Sequence, residues 1–306
     1  MKPYETYQHL DGETMTSRDL KQIDSKFWGK GKWNNFIRPF LPKDCKGLDL
    51  VDMGCNAGLF LKFAQDLGFE RIIGVDSNKE SVERGMSHPL RQKYKIIEKR
   101  MEDAIDDLPI VDYTILANAH YYFNIVDWVN YVEKLKFKSK YVIIVTAEKR
   151  HINRCWTQAG VGHIRGYFRD WKEVGFINEL PTEGDPDPRR MWSLCFESPY
   201  IDKVDTNSLD TSNHTQYGFY TDIDDNKKNY HRTKYYLTLR TYRTKMSKEQ
   251  VEEFVEDKIK TYFDIKDNGQ KNALLVDRFK KNWVLEGNHR CRMLWKLNRK
   301  AWVRLI

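Results

Sequence analysis

The residues best suited to chemistry lie in one glycine-rich turn and at the end of the strand that follows it. The turn, Asp52–Gly58, connects a buried apolar run, Leu48–Met53, to a helical pattern that begins at once. Glycines at such a turn let the backbone approach a ligand closely, and the helix N-terminus points at the same place. The next apolar run ends on Asp76, whose carboxylate is placed to accept both hydroxyls of a ribose. These residues predict a site for an adenosine-type ligand.

Two other nucleotide motifs do not fit this turn. The dinucleotide pattern G-x-G-x-x-G fails because Asn56 stands two residues after Gly54 and Leu59 occupies the last position, and no G-x-x-x-x-G-K-[ST] is present. The run instead resembles motif I of class I S-adenosylmethionine (SAM)-dependent methyltransferases, acidic-x-G-x-G-x-G, with Asn56 in place of the middle glycine. The resemblance covers about residues 30–198. The alternatives are a doubly wound domain for another nucleotide and a copy of the fold that no longer binds a ligand.

The methyltransferase resemblance assigns roles to residues at the strand ends. It implies that Asp52 lies near the methionine ammonium, that the backbone of Gly54–Gly58 surrounds the methionine moiety, and that Asp76 binds the ribose. It also implies that Met101 packs on the adenine ring, while Glu102 or Asp103 accepts a hydrogen bond from the adenine amino group. The predicted cofactor-binding residues are Asp52, Gly54, Cys55, Asn56, Gly58, Asp76, Ser77, Met101, Glu102 and Asn118.

The segment after the fourth predicted strand, Asn118–Phe123, has the position of motif IV, where the methyl acceptor approaches. His120 and Tyr121 are the predicted catalytic residues. The unperturbed pKa of histidine suits a general base at His120, and the alternative is that this ring only lines the pocket or caps a turn. Tyr121 and Tyr122 would stack on the acceptor or close over the methionine portion. Asn118-x-x-Tyr121 has the spacing typical of exocyclic-amine methyltransferases but neither of their prolines, and a Pro-Cys nucleophile for cytosine C5 is missing.

Basic and aromatic residues flank the predicted methyltransferase segment. An N-terminal patch with Ile23-Asp24 followed by Trp28, Lys30, Lys32 and Trp33 resembles the segment ahead of motif I in the transfer-RNA wobble-uridine carboxymethyltransferase family, whose donor is a carboxylated SAM. The alternative for this patch is an amphipathic helix that covers the SAM pocket. A second cluster of His, Trp and Arg follows the fifth strand, and arginine clusters bind phosphate and carboxylate well. The predicted substrate residues are Lys30, Trp33, Tyr122, Arg154 and Arg189.

The C-terminal part carries a separate candidate site. The order of strands and helices from Tyr235 onward, with the run Glu286–Arg290 opening a helix, resembles the ParB/sulfiredoxin-like fold. Glycine frees the backbone there, the helix N-terminus attracts anions, and His and Arg add charged donors. The resemblance implies a nucleotide- or phosphate-binding module, with ATP as a candidate ligand, and the alternative is a helix cap with a surface salt bridge. The predicted phosphate-binding residues are Glu286, Gly287, Asn288, His289 and Arg290.

Composition narrows the class of protein. The 306 residues have a formal net charge of +8, which permits nucleic-acid or phosphorylated partners without establishing one. The five cysteines contain no C-x-x-C, so a zinc site and a disulfide framework are disfavoured and a reducing compartment fits. The sequence has no run near the roughly 18–20 apolar residues of a membrane helix, and its polar start is not a signal peptide. We expect a cytoplasmic protein without a metal or a membrane partner.

The positions of these motifs require a particular arrangement of strands and helices. Apolar runs alternate with helical patterns, which predicts an α/β domain with a Rossmann-like, doubly wound parallel sheet, followed by a small α+β domain. The predicted strands are Leu48–Met53, Arg71–Val75, Lys95–Ile97, Tyr113–Ala117, Tyr141–Val145, Met191–Phe196, Tyr235–Tyr242, Ala273–Val276, Asn282–Leu285 and Ala301–Ile306. The predicted boundaries are an N-terminal lid or substrate segment at 1–46, the SAM-binding domain at 47–200, a linker at 201–234 and the ParB/sulfiredoxin-like domain at 235–306.

The sequence therefore predicts a SAM-dependent methyltransferase that acts on an oxygen or nitrogen of a small, anionic, sugar- or nucleotide-type metabolite. The C-terminal module would bind or phosphorylate part of the same substrate. Two other functions stay open: an RNA-modifying, in particular a transfer-RNA-modifying, methyltransferase, and a nucleic-acid- or partner-binding scaffold with a non-catalytic SAM fold. A steep loss of affinity with added salt would indicate nucleic acid.

Overall fold

The computed structural model describes residues 29–89, 91, 93–147, 161–180, 190–206, 209, 239, 246–276, 284–286 and 288–305. The chain forms two compact units, Met1–Pro199 and Tyr200–Ile306. Within the described residues, no helix has both the length and the apolar character needed to cross a membrane.

The first unit is built on a seven-stranded sheet with the order β3-β2-β1-β4-β5-β7-β6. Its strands are β1 (Asp49–Met53), β2 (Arg71–Asp76), β3 (Lys95–Glu98), β4 (Val111–Ala117), β5 (Ser139–Ala147), β6 (Lys172–Glu179) and β7 (Met191–Glu197). Pairing is parallel from β3 to β5, and β7 runs antiparallel to both β5 and β6. The strand order reverses between β1 and β4, and open α/β sheets bind ligands at the carboxyl ends of the strands at such a point.

Helices cover both faces of this sheet. They are α1 (Gly29–Lys32), α2 (Leu59–Asp66), α3 (Lys79–Ser87), α4 (Met101–Ala104), α5 (Ile125–Leu135) and α6 (Val161–Tyr167). Successive strand residues belong to different core clusters, since Leu50 packs in one and Val51 in the other. Side chains in a strand alternate between the two faces, so both faces are buried. The predicted mixed α/β, Rossmann-like architecture is confirmed for this unit.

The described part of the expected lid at 1–46, residues 29–46, contributes side chains to the first core, and the rest of that segment lies outside the described residues. After α1 the chain continues through a π-helical turn, Trp33–Ile37, and a 3-10 turn, Arg38–Phe40. The side chains of Trp33, Phe36 and Ile37 are buried in the core cluster that also holds α2. The segment therefore stabilises the sheet, because it covers apolar surface on one face of it.

Strand β6 is absent from the sequence-based prediction. Its residues run Lys-Glu-Val-Gly-Phe-Ile-Asn-Glu and are mostly exposed or half-buried, as an edge strand allows. Gly175 in this strand lies against Phe40, since a Cβ atom there would come within 2.5 Å of the phenyl Cε1. The missing side chain lets the N-terminal segment pack directly on the sheet edge.

The second unit contains a four-stranded sheet with the order β10-β9-β11-β8. Its elements are β8 (Asp202–Val204), α7 (Lys248–Asn268), β9 (Leu274–Val276), β10 (Val284–Glu286), α8 (Asn288–Lys296) and β11 (Ala301–Leu305). Ser247 caps α7 and forms the predicted capping box with Gln250. The expected linker at 201–234 is wrong at its start, because β8 pairs with β11 as an edge strand of this sheet. The strand expected at 235–242 lies outside the described residues except for Leu239, which is helical.

Candidate functional site

The glycine-rich turn folds tightly between β2 and the segment that follows β4. Gly54, Asn56 and Gly58 all have positive φ, at 76°, 52° and 88°. The backbone N–H of Gly54 donates to the Val75 carbonyl at 2.8 Å, which fixes the turn to the end of β2. A Cβ on Gly54 would lie 2.8 Å from the Cβ of Ala119, so only glycine fits at that contact. The turn thus leads β1 into α2 at the carboxyl edge of the sheet.

Asn56 preserves the shape of a turn that has glycine in the resembling motif. Asparagine adopts the left-handed region more readily than other residues with a side chain. Its Oδ1 accepts from the N–H of Ala57 at 2.9 Å, and its own N–H donates to Oδ2 of Asp76 at 2.7 Å. The departure from the glycine pattern therefore leaves the backbone conformation of the turn intact.

Asp76 stands at the end of β2 and is bonded to the turn. Its Oδ2 accepts from Asn56 and its Oδ1 from the N–H of Asn78, at 2.7 and 2.8 Å. Each carboxylate oxygen has two lone pairs, so both oxygens keep acceptor capacity for the two hydroxyls of a ribose. Ser77, also a predicted cofactor residue, is exposed beside this carboxylate.

Asp52 is a buried carboxyl group that lacks a complete set of partners. It is 1% exposed, and within the described part of the chain its Oδ2 accepts no hydrogen bond. Burial, followed by repulsion from Asp76, raises its pKa to about 8, and the charge of Lys32 opposes that rise. A buried carboxylate is stabilised by a cation placed against it. The position therefore suits an ammonium group.

Cys55 contributes its backbone to the turn, while its thiol is buried in the core. A Cβ on Gly74 would come within 2.5 Å of the Cys55 Sγ, so the sulfur fills the space that this glycine leaves in β2. Burial raises the pKa of the thiol well above its ordinary value. The side chain of Cys55 is thus a packing group.

The predicted adenine-binding residues open helix α4 after β3. Met101 is 8% exposed. Its Sδ lies 3.9 Å from the position that a Cβ atom would take if Gly54 had a side chain, so Met101 borders the turn. The carboxylate of Glu102 forms an ion pair with Arg100, whereas Asp103 is exposed. Of the two predicted acceptors for an adenine amino group, Asp103 is the more accessible.

A polar cluster follows β4. Asn118 has a φ of 57°, and its backbone N–H donates to the Val145 carbonyl at 2.8 Å. Its Oδ1 accepts from the hydroxyl of Tyr121 at 3.2 Å. The same hydroxyl is hydrogen-bonded to Oγ1 of Thr146 in β5. The Tyr121 ring is therefore held beside β5, in a position that does not fit the predicted stacking on an acceptor.

The placement of His120 argues against its predicted role as general base. The imidazole is fully buried, with its ring centroid 4.3 Å from that of Tyr121 and 5.9 Å from that of Trp128. The ring packs in a cluster of aromatic side chains, a role that is neither the predicted general base nor the stated alternative of lining the pocket or capping a turn. Tyr122, by contrast, is 50% exposed.

The other predicted substrate residues differ in their exposure, and two of them are not described by the structure. Trp33 is buried against the rings of Phe60 and Phe63 at centroid distances of 5.7 and 5.5 Å, which favours a packing role over the predicted contact with substrate. Lys30 is exposed and Lys32 is half-buried. Arg154 and Arg189 lie outside the described residues. Among the N-terminal cations, Lys32 is the one whose charge acts on Asp52.

The two residues of the candidate phosphate site whose side chains are described, His289 and Arg290, make contacts within the second unit. Arg290 donates from Nη1 to the carbonyl of Asn272 at 3.2 Å. The ring of His289 packs edge-on against Phe254 at a centroid distance of 6.0 Å. Gly287 and the side chains of Glu286 and Asn288 lie outside the described residues. The described contacts favour a structural role for this helix start.

Comparison with known proteins returns solved structures of methyltransferases. No family model matches the chain, and no curated protein is similar to it in sequence. Solved structures similar to this chain include proteins described as SAM-dependent methyltransferases. Three that are similar to it are the N-methyltransferase NodS from Bradyrhizobium japonicum in complex with S-adenosylhomocysteine (13% identity, 60% of this chain and 93% of that chain, TM-score 0.48), TehB from Haemophilus influenzae (13%, 55% and 62%, 0.45) and a SAM-dependent methyltransferase from Mesorhizobium loti (16%, 55% and 98%, 0.41).

None of these similarities identifies a substrate. They also give no support to the resemblance of the second unit to ParB and sulfiredoxin, or of the N-terminal patch to the wobble-uridine enzymes. The roles of individual residues therefore depend on the geometry described above.

Proposed function

We propose that the first unit binds SAM at the glycine-rich turn and transfers its methyl group to a small anionic acceptor. One observation carries this proposal: the buried Asp52 carboxyl group, with an oxygen that lacks a partner among the described residues, stands beside a positive-φ turn. Asp76 ends the neighbouring strand with spare acceptor capacity. This pairing fits an ammonium and a ribose on one ligand, as SAM carries them.

The residues of the chain have distinct tasks in this proposal. SAM, when bound, supplies a methyl group on a sulfonium. Asp52 pairs with the ammonium, and Lys32, whose charge acts on Asp52, is the candidate partner of the carboxylate of the same amino-acid moiety. Asp76 accepts from the ribose hydroxyls, and Met101 packs on the adenine. The chain then needs mainly to align the acceptor with the methyl group, because alignment is the main contribution of an enzyme to a displacement of this kind.

The acceptor class is supported by charge. The net charge of +8 and the exposed Lys30 favour an anionic acceptor, for which sugar and nucleotide derivatives are candidates. RNA is also an anionic acceptor. The salt dependence of binding distinguishes RNA from a small metabolite, because each phosphate contact steepens the loss of affinity with added salt. Nucleotide binding by the second unit stays a prediction, and ATP is the probe for it.

Calorimetric titration of the full chain with SAM, S-adenosylhomocysteine and ATP tests the proposal. We expect micromolar binding of the first two compounds. Asp76→Ala should weaken S-adenosylhomocysteine by about 100-fold, because two hydrogen bonds to a charged group are lost. Asp66→Ala, at an exposed position of α2, is the matched control and should change affinity less than twofold. Wild-type protein that fails to bind either compound contradicts the proposed function.

A further inference from the structure

The hydroxyls of Thr146 and Tyr121 and the amide of Asn118 form one chain of hydrogen bonds at the carboxyl ends of β4 and β5. We propose that these hydrogen bonds fix the Asn118 amide with its NH2 group toward the methyl acceptor. The acceptor atom is then an oxygen that is already ionised at neutral pH, as in a carboxylate or a phosphate. The inference rests on the proposed function, and it names the chemical class of the acceptor.

The donor and the acceptor of each of these hydrogen bonds follow from counting the hydroxyl protons. Thr146 is 3% exposed, and within the described part of the chain its hydroxyl bonds only to Tyr121. A tyrosine hydroxyl has one proton to donate, and here it goes to Oδ1 of Asn118. Thr146 then donates to Tyr121, so every buried hydroxyl proton has an acceptor. With the amide reversed, the proton of the buried Thr146 hydroxyl would lack an acceptor among the described residues, at a cost of about 1–3 kcal/mol.

The amide nitrogen of Asn118 is then the atom that meets a ligand. Its Nδ2 makes no hydrogen bond within the described residues, and the side chain is only partly buried. The next residue, Ala119, touches Gly54 of the glycine-rich turn. An NH2 donor is thus presented beside the place where the methyl donor would bind. A donor group favours an oxygen and disfavours an amine, which would bring N–H groups against it.

The chemistry of an ionised oxygen fits the rest of the site. A lone pair of the acceptor oxygen forms the bond to the methyl carbon, and the electrons of the carbon–sulfur bond go to sulfur, which becomes neutral. No proton has to leave the acceptor, so the step does not need a base at His120, whose ring is buried among aromatic side chains. The hydrogen bond from Asn118 orients the oxygen and holds its second lone pair.

Transfer of labelled methyl groups tests the acceptor class. Full-length protein is incubated with methyl-labelled SAM and a panel of carboxylates, phosphate monoesters and primary amines of matched carbon skeleton. We expect label in oxyanions only, as base-labile methyl esters for carboxylates and base-stable esters for phosphates. Asn118→Asp should lower kcat/KM by about 10- to 100-fold, the value of a hydrogen bond to a charged group, and this loss should exceed any change in the affinity for S-adenosylhomocysteine. Label found only in amines, or an unaffected variant, overturns the proposal.

The positioning role of Thr146 has its own control. Thr146→Val keeps the shape but removes the hydroxyl, and we expect about a 10-fold loss of kcat/KM, while Thr146→Ser should restore it. Equal activity of the Val and Ser variants contradicts this role. A protein that does not bind S-adenosylhomocysteine fails the proposed function instead, so the two failures are distinguishable.

A binding measurement tests the orientation of the Asn118 amide if none of the compounds in the panel is methylated. The side-chain NH2 signals of Asn118 are identified in NMR spectra by their loss in Asn118→Asp. In the complex with S-adenosylhomocysteine, titration with acetate or inorganic phosphate should shift these signals, and methylammonium should not. The shift should be reduced in Thr146→Val and restored in Thr146→Ser. A response to methylammonium alone, or no response to either anion, refutes the orientation of the amide.

Discussion

The most informative perturbation is Asp52→Asn, which removes a buried carboxyl group with almost no change in shape. Burial and the neighbouring Asp76 raise the pKa of Asp52 from an ordinary 3.8 to about 8. An asparagine at this position cannot ionise, so the variant should lose the pH dependence that this one group gives to the protein.

The direction in which the free energy of unfolding changes with pH follows from the pKa of Asp52 in the folded and in the unfolded protein. Between pH 4 and 8 the folded protein keeps the Asp52 proton, whereas the unfolded chain has lost it. The stability that this proton contributes is complete below pH 4 and is lost as the pH rises through the folded-state value near 8. One proton amounts to about 1.4 kcal/mol per pH unit. The free energy of unfolding should fall by up to about 3 kcal/mol from pH 5 to pH 7 in the wild type, relative to Asp52→Asn.

Urea unfolding of both proteins at pH 5, 6, 7 and 8 measures this difference, because all other titrating groups are common to the two proteins. Saturating S-adenosylhomocysteine should flatten the slope, since its ammonium stabilises the ionised carboxylate. A difference between the two proteins that is constant from pH 5 to 8 would refute the reasoning, because it would mean that Asp52 stays ionised in the folded protein.

Three further changes test the packing of the two units by urea unfolding. Gly74→Ala should cost about 1–3 kcal/mol by overpacking, whereas Gly162→Ala in α6, with open space around it, should not destabilise by more than about 0.5 kcal/mol. Asn56→Ala should cost about 1–2 kcal/mol at its left-handed φ, and Asn56→Gly should be tolerated. Gln270→Ala should destabilise the second unit by about 2–4 kcal/mol, because the buried amide bonds both the N–H and the carbonyl of Trp302 at 2.8 Å. Equal stability of wild type and variant would contradict each expected loss.

Five of the strands of the first unit were predictable because their burial is nearly complete. Strands β1, β2, β4, β5 and β7 are short apolar runs, and a run that is buried on both faces carries a strong signal. Strand β6 carries a weak one, because an edge strand with charged and polar residues on its exposed positions is close to a loop in composition. The capping box at Ser247 was predictable for a local reason, since it needs only two residues at fixed spacing.

The site residues whose position follows from the backbone were predictable. Those whose role depends on the direction of the side chain were not. The positions of Asp52, Gly54 and Asp76 at strand ends follow from the order of strands alone. The burial of His120 does not, because the residue after a strand can face the ligand or the core, and neighbouring aromatic side chains draw this ring inward. Trp33 shows the same limit: a tryptophan beside lysines is typical of a binding patch, yet its large apolar surface is buried against α2.

Strand β8 has a consequence for dividing the protein into fragments. Only a few residues separate β7, which completes the first sheet, from β8, which pairs along β11 in the second. A fragment that begins at Tyr235 would lack β8 and would present the hydrogen-bonding edge of β11 to solvent, and such bare edges promote self-association. A cut before Tyr200 leaves each fragment with the strands of its own sheet, so preparations of the second unit for ligand binding should start there.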